Sequence, residues 1–532
     1  MYKLTSIAVL GTYYASLFGV TYSVVHDYFF CLITQPEGQN SAFKTGYIIA
    51  AIETRLRYNR LTVDNIDVEA TIKKVQELLA QEQNLSPALR STLDVLLLVV
   101  QLLVNRLTLN SRNSSKPPSS DPNRERDKKP KDVNNKPGGQ TGRVGTTLRQ
   151  VDDPDDIKTL EVDRSTLPPG QYREVGFERR QVFDIDISRI VTEYRAQILA
   201  DEKGQRITAP FPAHVNKAVQ YGNGVKAQAV YLSQYQLIPY QRVQDYFQEQ
   251  AGLPISTGSI FNFNQQAFEL LEQFELKLIS KLLASPLLHA DETGINVDGK
   301  RQWLHCVSNE RWTLFYAHAK RGTEAMNTKG VLPQFKGILC HDHWKPYYQY
   351  TACLHALCNA HHLRELERAY EQDNQQWAKA MQVLLQTILK DVKSNGGVLP
   401  AEQIEYYTER YRSLLKQAEN ECPPPDQNRK PGQRGRVKRS KARNLLERLQ
   451  LFEQDVLRFM SNPIVPFTNN QGENDIRMTK VHQKISGCFR SQDGADIFCR
   501  VRSYLSTSRK NNVAASLALT LLFDGILPDF IH

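Results

Sequence analysis

Three acidic residues, Asp291, Asp342 and Glu473, have the types and surroundings from which a metal-ion site could be built. Asp291 ends an apolar run that starts at Pro286, and Asp342 ends a similar run that starts at Gly337. If the two runs form neighbouring strands, their carboxylates lie side by side and repel each other unless a cation sits between them. Oxygen ligands of this kind select Mg²⁺ or Mn²⁺.

Glu473 is the best candidate for a third ligand. It follows Thr468 and Asn469, either of which can cap a helix and place Glu473 in its opening turns. A third acid completes a site for two ions about 3.5–4 Å apart, which suits a phosphoryl displacement. Asp298 is a weaker candidate because it falls in the turn before Gly299. Glu292 is also weaker, because on a strand it should point to the face opposite Asp291. A lone acid at a strand end is usually a turn or cap residue, so the assignment depends on all three acids.

A group of cysteines and histidines offers a different kind of metal site. By residue type alone a tetrahedral zinc site is possible at Cys353, His355, Cys358, His361 and His362. The segment that begins at Cys358 has the pattern of a helix start, however, and no zinc is predicted. The chain has eight cysteines and no Cys-x-x-Cys pair, which argues against a disulfide scaffold or zinc ribbon and favours a reducing compartment.

Hydrophobic patterning predicts the elements that would position the acids. Strands are expected at 286–291, 303–307 and 312–318, a helix at 323–335, and a further strand at 337–342. This order, with acids on the first and fourth strands, resembles the ribonuclease-H-like fold, in which those two strands are neighbours. The expected fold class is an α/β catalytic core with a mixed five-stranded sheet and helices, interrupted by a helical insertion.

Helices are expected before the core. The pattern predicts helices at 224–235 and 240–251, a break at 252–255, and a third helix capped by Ser256 or Thr257. Two helices joined by a short turn fit a helix-turn-helix, whose second helix would enter a major groove.

Two features lie nearer the N-terminus. Ser86-Pro87 opens a helix whose apolar residues, spaced alternately four and three apart, are Leu89, Leu93, Leu96, Val100, Leu103 and Leu107. This spacing favours either a dimerisation zipper or a buried helix. Residues 5–25 are uncharged but rich in hydroxyl groups, so the first 60 residues are a membrane segment, a poorly structured extension or an overlong reading frame.

The positive charge of the chain is localised. The 532 residues are 41% hydrophobic, which excludes a disordered protein, and carry a formal charge of +10. Residues 110–149 carry +6 in a Pro/Gly/Ser-rich linker, 429–443 carry +8, and the remainder carries −4. Basic segments bind phosphate backbones by releasing counterions, so we expect DNA contacts at Arg434, Arg436, Lys438, Arg439 and Lys441. Arg477 is a further candidate, either for a phosphate or for an ion pair with Asp475.

Eight motifs together identify a family resemblance. They are N-S-S-K-P-P-S-S-D (113–121), G-G-Q-T-G (138–142), R-Q-V-F-D (180–184), Y-G-N-G-V-K (221–226), H-A-D-E-T (289–293), C-H-D-H-W-K-P-Y (340–347), C-N-A-H (358–361) and T-N-N-Q-G-E-N-D-I-R (468–477). The chain resembles the insertion-sequence-sixty-six transposases in these motifs and in their order. These are bacterial enzymes with an Asp-Asp-Glu catalytic triad, and the resemblance covers about residues 70–525.

The resemblance implies a function and its partners. The triad falls on Asp291, Asp342 and Glu473, with two Mg²⁺ (or Mn²⁺) ions per active site, and the reaction would be cleavage at the element's ends followed by strand transfer. DNA, a homo-oligomeric assembly and small accessory proteins of the element are the expected partners; no membrane is expected, and the location would be cytoplasmic and DNA-associated. The alternatives are a catalytically inactive DNA-binding protein derived from a transposase and a structure-selective nuclease.

The resemblance also organises the chain into regions, with one departure. Family members commonly carry cysteine pairs near R-Q-V-F-D, but residues 167–172 and 198–204 contain none, so that module is expected to fold without metal. The expected regions are an uncertain extension (1–68), a zipper-like helix (69–109), a basic flexible linker (110–150), a small β-rich module (151–215), a helix-turn-helix-like region (216–284), the catalytic core (285–372 and 462–510), a helical insertion with the basic block (373–461) and a C-terminal segment (511–532).

Overall fold

The computed structural model describes residues 62–63, 66–82, 85–114, 121, 148–425 and 439–531. The first 61 residues, with the alternatives predicted for them, lie outside the described residues. So do most of the basic linker and residues 426–438 of the second basic segment.

Two helices follow a short hairpin of Thr62–Val63 and Ile66–Asp67: α1 (Val68–Gln81) and α2 (Pro87–Leu107). The Ser86 hydroxyl caps α2, as its sequence predicts, by accepting the Leu89 N–H. Against the rest of the described chain α2 is mostly exposed, with Val104 its one buried residue. Among the described residues, α2 is the helix long and apolar enough to cross a membrane, by length and composition alone.

Residues 151–215 contain less strand than expected. A single hairpin pairs Ile198–Ala200 with Arg206–Thr208 in antiparallel register, and one short 3₁₀ turn spans Arg164–Thr166. Large apolar side chains of this stretch, such as Val182 and Ile190, are more than 90% exposed. The β-rich expectation is therefore corrected: no apolar face is buried here that would hold a larger sheet together.

Four helices precede the sheet: α3 (Asn223–Val230), α4 (Tyr240–Ala251), α5 (Thr257–Leu270) and α6 (Glu272–Leu283). The helix expected at 224–235 is present, although its last turn, Tyr231–Tyr235, widens to a π-helix. α4 has its predicted bounds and ends at Gly252, which adopts the left-handed conformation at φ +56°. The Ser256 hydroxyl caps α5 by accepting the Ser259 N–H.

A mixed five-stranded sheet forms the centre of the molecule. Its strands are β1 (Leu287–Val297), β2 (Lys300–Ser308), β3 (Thr313–His318), β4 (Ile338–His341) and β5 (Leu354–Leu357), in the spatial order β3-β2-β1-β4-β5. The first three form an antiparallel meander, whereas β1–β4 and β4–β5 are parallel pairs. The predicted mixed five-stranded sheet and the adjacency of its first and fourth strands are confirmed.

The connection between β3 and β4 differs from its prediction. Instead of one helix it contains two short ones, α7 (Thr323–Asn327) and α8 (Val331–Gln334). Gly330 separates them with a left-handed backbone at φ +68°. A helix cannot continue through that conformation, so it ends before Gly330 and restarts after it.

A helical layer lies beyond β5, with its own apolar core around Trp377, Leu385, Tyr411 and Leu446. It comprises α9 (Asn359–Asp373), α10 (Gln376–Ser394), α11 (Ala401–Glu421), α12 (Lys441–Leu451) and α13 (Glu453–Ser461). All regular secondary structure in the described part of residues 376–461 is helical, as expected for the insertion.

Three helices complete the described chain: α14 (Asn470–Ser486), α15 (Gln492–Lys510) and α16 (Ala515–Phe523). α15 covers the outer edge of β3, where Thr313 N–H donates to Thr507 Oγ1 and Phe315 N–H to Ser503 Oγ. Such cover removes a free strand edge that would otherwise pair with another chain. The sheet is thereby flanked by helices, with Asp291 within β1 and Asp342 directly after β4.

Candidate active site

The register of two parallel strands brings Asp291 and Asp342 together. On β1 and β4, Leu287 lies beside Ile338 and His289 beside Cys340. Continuing this register by two residues sets Asp342 beside Asp291, on strands whose spacing is about 4.8 Å. Asp342 follows the end of β4, as predicted, and its Oδ1 accepts the Trp344 N–H at 3.0 Å.

Asp291 does not end its strand, which corrects the sequence prediction. β1 continues to Val297 because its other edge stays paired with β2, where Asp291 lies opposite Cys306. The acid is therefore held in the middle of an eleven-residue strand, at the point where the parallel pairing to β4 stops. A residue in the middle of a strand has less backbone freedom than one in a turn, so the position of the carboxyl is fixed.

The electrostatics around Asp291 fit a cation with oxygen ligands. Burial and the charges of Glu292 and Asp342 raise the pKa of Asp291 to about 8, with a smaller contribution from Glu473. One hydrogen bond, which the Glu292 N–H donates to Asp291 Oδ1 at 2.9 Å, acts in the opposite direction and lowers the pKa of Asp291. Carboxylates that disfavour one another's charge in this way are stabilised when a divalent cation binds between them.

Glu292, the lower-ranked acid, is already engaged. Its Oε1 accepts from Arg321 Nε at 2.8 Å, and its Oε2 accepts from the Tyr347 hydroxyl at 2.6 Å. The Arg321 guanidinium in turn lies 4.1 Å from the ring centre of Trp344 and 4.9 Å from that of Trp303. This arrangement fixes the strand beside Asp291 and leaves Glu292 without free oxygens directed at a ligand.

Glu473 lies in the first turn of α14, as predicted. Asn469 occupies the N-cap position, but its side chain makes no capping hydrogen bond. Instead its Nδ2 donates to the Ala290 carbonyl at 2.9 Å, and its Oδ1 lies 2.7 Å from His289 Nδ1. Because the amide nitrogen faces a carbonyl, the amide oxygen accepts from the imidazole. Asn469 thus ties the start of α14 to β1, next to Asp291.

Cys358 and His361 adjoin Glu473. Cys358 follows β5 and precedes α9, where His361 lies in the first turn. The Cys358 sulfur is 3.9 Å from Glu473 Oε1 and accepts the Asn469 N–H at 3.1 Å. His361 Nδ1 is also 3.9 Å from Glu473 Oε1. Among the described residues these three form a group whose donor atoms all lie within 4.8 Å of one another.

The other cysteines and histidines considered for zinc have separate partners. His355 Nδ1 bonds with His341 Nε2 at 3.0 Å, and His362 Nδ1 with Asn359 Oδ1 at 3.0 Å. The Cys353 thiol donates to the Tyr350 carbonyl. A site made of all five residues is therefore not assembled, because three of them are directed elsewhere.

Three of the residues expected to contact DNA, Arg434, Arg436 and Lys438, lie outside the described residues. Arg439 forms an ion pair with Glu447, whereas Lys441 is exposed at the first position of α12. The end of the basic segment is thus folded rather than flexible, because Arg443 at this end is buried and paired with Glu419 and Glu447.

Arg477 is exposed on α14. The alternative pairing with Asp475 is wrong, since Asp475 Oδ2 instead accepts from Lys510 Nζ at 2.7 Å. Arg477 is thereby left facing solvent on the helix that carries Glu473.

A comparison with protein families identifies the chain. The family model described as Transposase IS66 family matches residues 218–497, which is more than half of the chain and includes the whole sheet, Asp291, Asp342 and Glu473. The protein belongs to the IS66 family of transposases. A second model, for a family of unknown function (DUF6444), matches residues 64–149. No curated protein matches the chain.

The residues that adjoin or position the acids, Asn469, Cys358 and His361, are not evident from the sequence. The sequence predicts a capping role for Thr468 or Asn469, whereas the Asn469 side chain makes no capping hydrogen bond and joins α14 to β1. By residue type Cys358 and His361 group with the other cysteines and histidines, whereas in the structure they adjoin Glu473. The signal was present in the T-N-N-Q-G-E and C-N-A-H motifs, but it takes the three-dimensional structure to show that these two motifs meet.

Proposed function

We propose that this transposase is a DDE-type enzyme with a ribonuclease-H-like catalytic core, which cleaves DNA at the ends of its element and joins the ends to target DNA. One observation carries the proposal: Asp291 lies on β1, Asp342 directly follows its parallel neighbour β4, and Asn469 fastens the helix bearing Glu473 to the same strand as Asp291. Three acids from distant parts of the chain thus lie close enough for Asp342 and Glu473 to act on the charge of Asp291.

The three acids would hold Mg²⁺ or Mn²⁺, two ions per site, because the charges of Asp342 and Glu473 help to raise the pKa of Asp291, and a hard cation bound between the carboxylates would offset that repulsion. Such ions stabilise the attacking and leaving oxygens of a phosphoryl displacement. The remaining residues hold the acids in place. Asn469 fixes the start of α14, and the Arg321 and Tyr347 contacts to Glu292 fix the strand beside Asp291.

DNA binding would come from several surfaces. The pair α4 and α5, joined by a turn at Gly252, supports a helix-turn-helix assignment. α5 carries no lysine or arginine, so most of the phosphate contacts would come from the basic segments and from the exposed Lys441 and Arg477.

We also propose that two chains pair through α2. Leu89, Leu96 and Leu103, which lie on the seven-residue repeat of its sequence, are each about half exposed. An exposed apolar face with heptad spacing matches what a coiled-coil partner buries. A second copy of α2 has the same spacing and is therefore a suitable partner.

A cleavage assay tests the proposed function. Purified protein is mixed with DNA that carries the element's ends, in Mg²⁺, and nicking is compared among wild type, Asp291→Asn, Asp342→Asn and Glu473→Gln. Asp298→Asn is the matched control, since Asp298 lies exposed at the end of the same hairpin and asparagine tolerates its φ of +49°.

We expect each of the first three variants to lose nicking while retaining DNA binding in a gel-shift assay, and Asp298→Asn to match wild type. Binding by wild type without any Mg²⁺-dependent nicking would instead indicate an inactive DNA-binding protein. Equal nicking of DNA that lacks the element's ends would indicate a general nuclease.

A further inference from the structure

A second kind of ligand set adjoins the carboxylates. Cys358, His361 and Glu473 contribute a sulfur, an imidazole nitrogen and a carboxylate oxygen within 4.8 Å of one another. Cys358 is 1% exposed, whereas the side chains of His361 and Glu473 are 26% and 36% exposed. The group is thus closed on the sulfur side and open to solvent on the carboxylate side, which gives an ion a route of entry.

His361 supplies independent evidence for a missing partner. Its Nδ1 is buried and forms no hydrogen bond. A buried polar atom without a partner costs about 1–3 kcal/mol, and such atoms are uncommon in folded proteins. This nitrogen faces Glu473 Oε1 at 3.9 Å, too far for a hydrogen bond but suitably placed for both atoms to bind one ion.

The distances fit a tetrahedral ion. With bonds of about 2.3 Å to sulfur and about 2.1 Å to oxygen, a tetrahedral Zn²⁺ holds those two ligands about 3.6 Å apart. In the structure the Cys358 sulfur and Glu473 Oε1 are 3.9 Å apart. The remaining few tenths of an ångström are within reach of a rotation of the partly exposed Glu473 side chain.

The ligand types decide which ion binds. Thiolate and imidazole ligands favour Zn²⁺, Co²⁺ and similar ions, whereas Mg²⁺ takes oxygen ligands. The Cys358 sulfur also accepts the backbone N–H of Asn469 at 3.1 Å; burial nevertheless raises the pKa of the thiol to about 11, so an incoming ion would have to displace the thiol proton. The set is therefore selective against Mg²⁺, even though one of its members is a proposed Mg²⁺ ligand.

We propose that Cys358, His361 and Glu473 form a binding site for a zinc-like transition-metal ion, and that this ion inhibits cleavage by withdrawing Glu473 from the Mg²⁺-binding acids. The binding site stands on the geometry alone; its inhibitory effect rests on the proposed function. Because N and S ligands bind Zn²⁺ much more tightly than Mg²⁺, inhibition should occur at Zn²⁺ concentrations far below that of Mg²⁺.

Cobalt titration tests the site without DNA and without Mg²⁺. Co²⁺ bound to a thiolate has a charge-transfer absorption in the near ultraviolet, and we expect this band to saturate at one Co²⁺ per full-length chain and to disappear on adding Zn²⁺. Cys488, the exposed cysteine of the described chain, provides the control. The band should persist in Cys488→Ser and be lost in Cys358→Ser.

A second variant guards against misfolding of Cys358→Ser, whose side chain is buried. His361→Ala removes a partly exposed ligand, and we expect its Co²⁺ affinity to fall at least tenfold while its circular dichroism matches wild type. The site is refuted by the absence of the band in wild type, by its survival in Cys358→Ser, or by an unchanged affinity in His361→Ala.

The inhibitory effect is measured separately. Nicking in Mg²⁺ is titrated with Zn²⁺, and each variant's inhibition is expressed relative to its own rate without Zn²⁺. The half-inhibitory Zn²⁺ concentration should rise at least tenfold in His361→Ala and stay unchanged in Cys488→Ser. Cobalt binding in a protein that does not nick DNA would contradict the proposed function alone, whereas nicking without cobalt binding would contradict this inference alone.

Discussion

Asn469→Ala should separate catalysis from DNA binding. The Asn469 side chain is 2% exposed and makes two hydrogen bonds across elements, to the Ala290 carbonyl and to His289 Nδ1. Alanine removes both and leaves the two groups on β1 without partners. The first turn of α14, which carries Glu473, then loses its side-chain connection to the strand that carries Asp291.

The expected magnitudes follow from those two bonds. A buried group left without its hydrogen-bond partner costs about 1–3 kcal/mol, and Asn469→Ala leaves two such groups, so the free energy of unfolding should fall by about 2–6 kcal/mol. A displacement of about 1 Å in a catalytic group costs about 100-fold in rate. We therefore expect nicking to fall roughly 10- to 100-fold while the affinity for end-sequence DNA is unchanged.

The assay compares Asn469→Ala with Asn474→Ala. Asn474 is exposed on the same helix, one residue beyond Glu473, so its replacement tests the effect of altering α14 without removing the connection to β1. Nicking rates are measured in saturating Mg²⁺, well below the melting temperature of each variant, and affinity is measured by gel shift. Asn474→Ala should nick at the wild-type rate.

Two results refute this reasoning. If Asn469→Ala nicks at the wild-type rate, the contact to β1 does not position Glu473. If both asparagine variants lose the same activity, the effect belongs to the helix in general and not to the Asn469 side chain.

Three further predictions concern stability and assembly. The pKa of Asp291 is raised to about 8 in the folded protein, so wild type loses stability as the pH rises toward 8. Without metal, Asp291→Asn should therefore melt at least ~2 °C above wild type at pH 8. Mg²⁺ should raise the melting temperature of wild type only. Burial lowers the pKa of His305 to about 4 and that of His341 to about 3. Between pH 7 and pH 5 these histidines gain protons only in the unfolded chain, so the free energy of unfolding of Asp291→Asn should fall by about 2 kcal/mol per histidine. An unchanged melting temperature between the two pH values would contradict this prediction. Replacing Leu96 and Leu103 by glutamate should convert dimers to monomers in sedimentation experiments, and dimers that persist would exclude pairing through α2.

Local patterns in the sequence were sufficient to predict many of the helices and strands. The helix from Tyr240 to Ala251 and the cap at Ser256 follow from residues adjacent in the chain, because a helix is set by its own periodicity and end residues. The strands were also predictable, although the extent of β1 was not. The length of a strand depends on how far its neighbours stay paired, and here β2 extends β1 past Asp291 to Val297.

Burial was the least predictable property. The apolar pattern of α2 suits both a buried helix and an exposed one, and only the structure shows that α2 is mostly exposed. The segment at 429–443 has eight basic residues and no acidic one, yet Arg443 is buried in two ion pairs. A residue's partners come from distant parts of the chain, and so its own neighbourhood in sequence does not reveal them.

The sequence by itself determined the three acids, their order and the strands and helix on which they lie, because residue type and periodicity are local properties. Only the tertiary structure decided what surrounds them. Asn469 joins β1 and α14, and Cys358 and His361 meet Glu473, across separations of more than 100 residues. The physical reason is that side-chain hydrogen bonds and ligand groups depend on distances of a few ångströms, which are fixed when the sheet and its helices pack together.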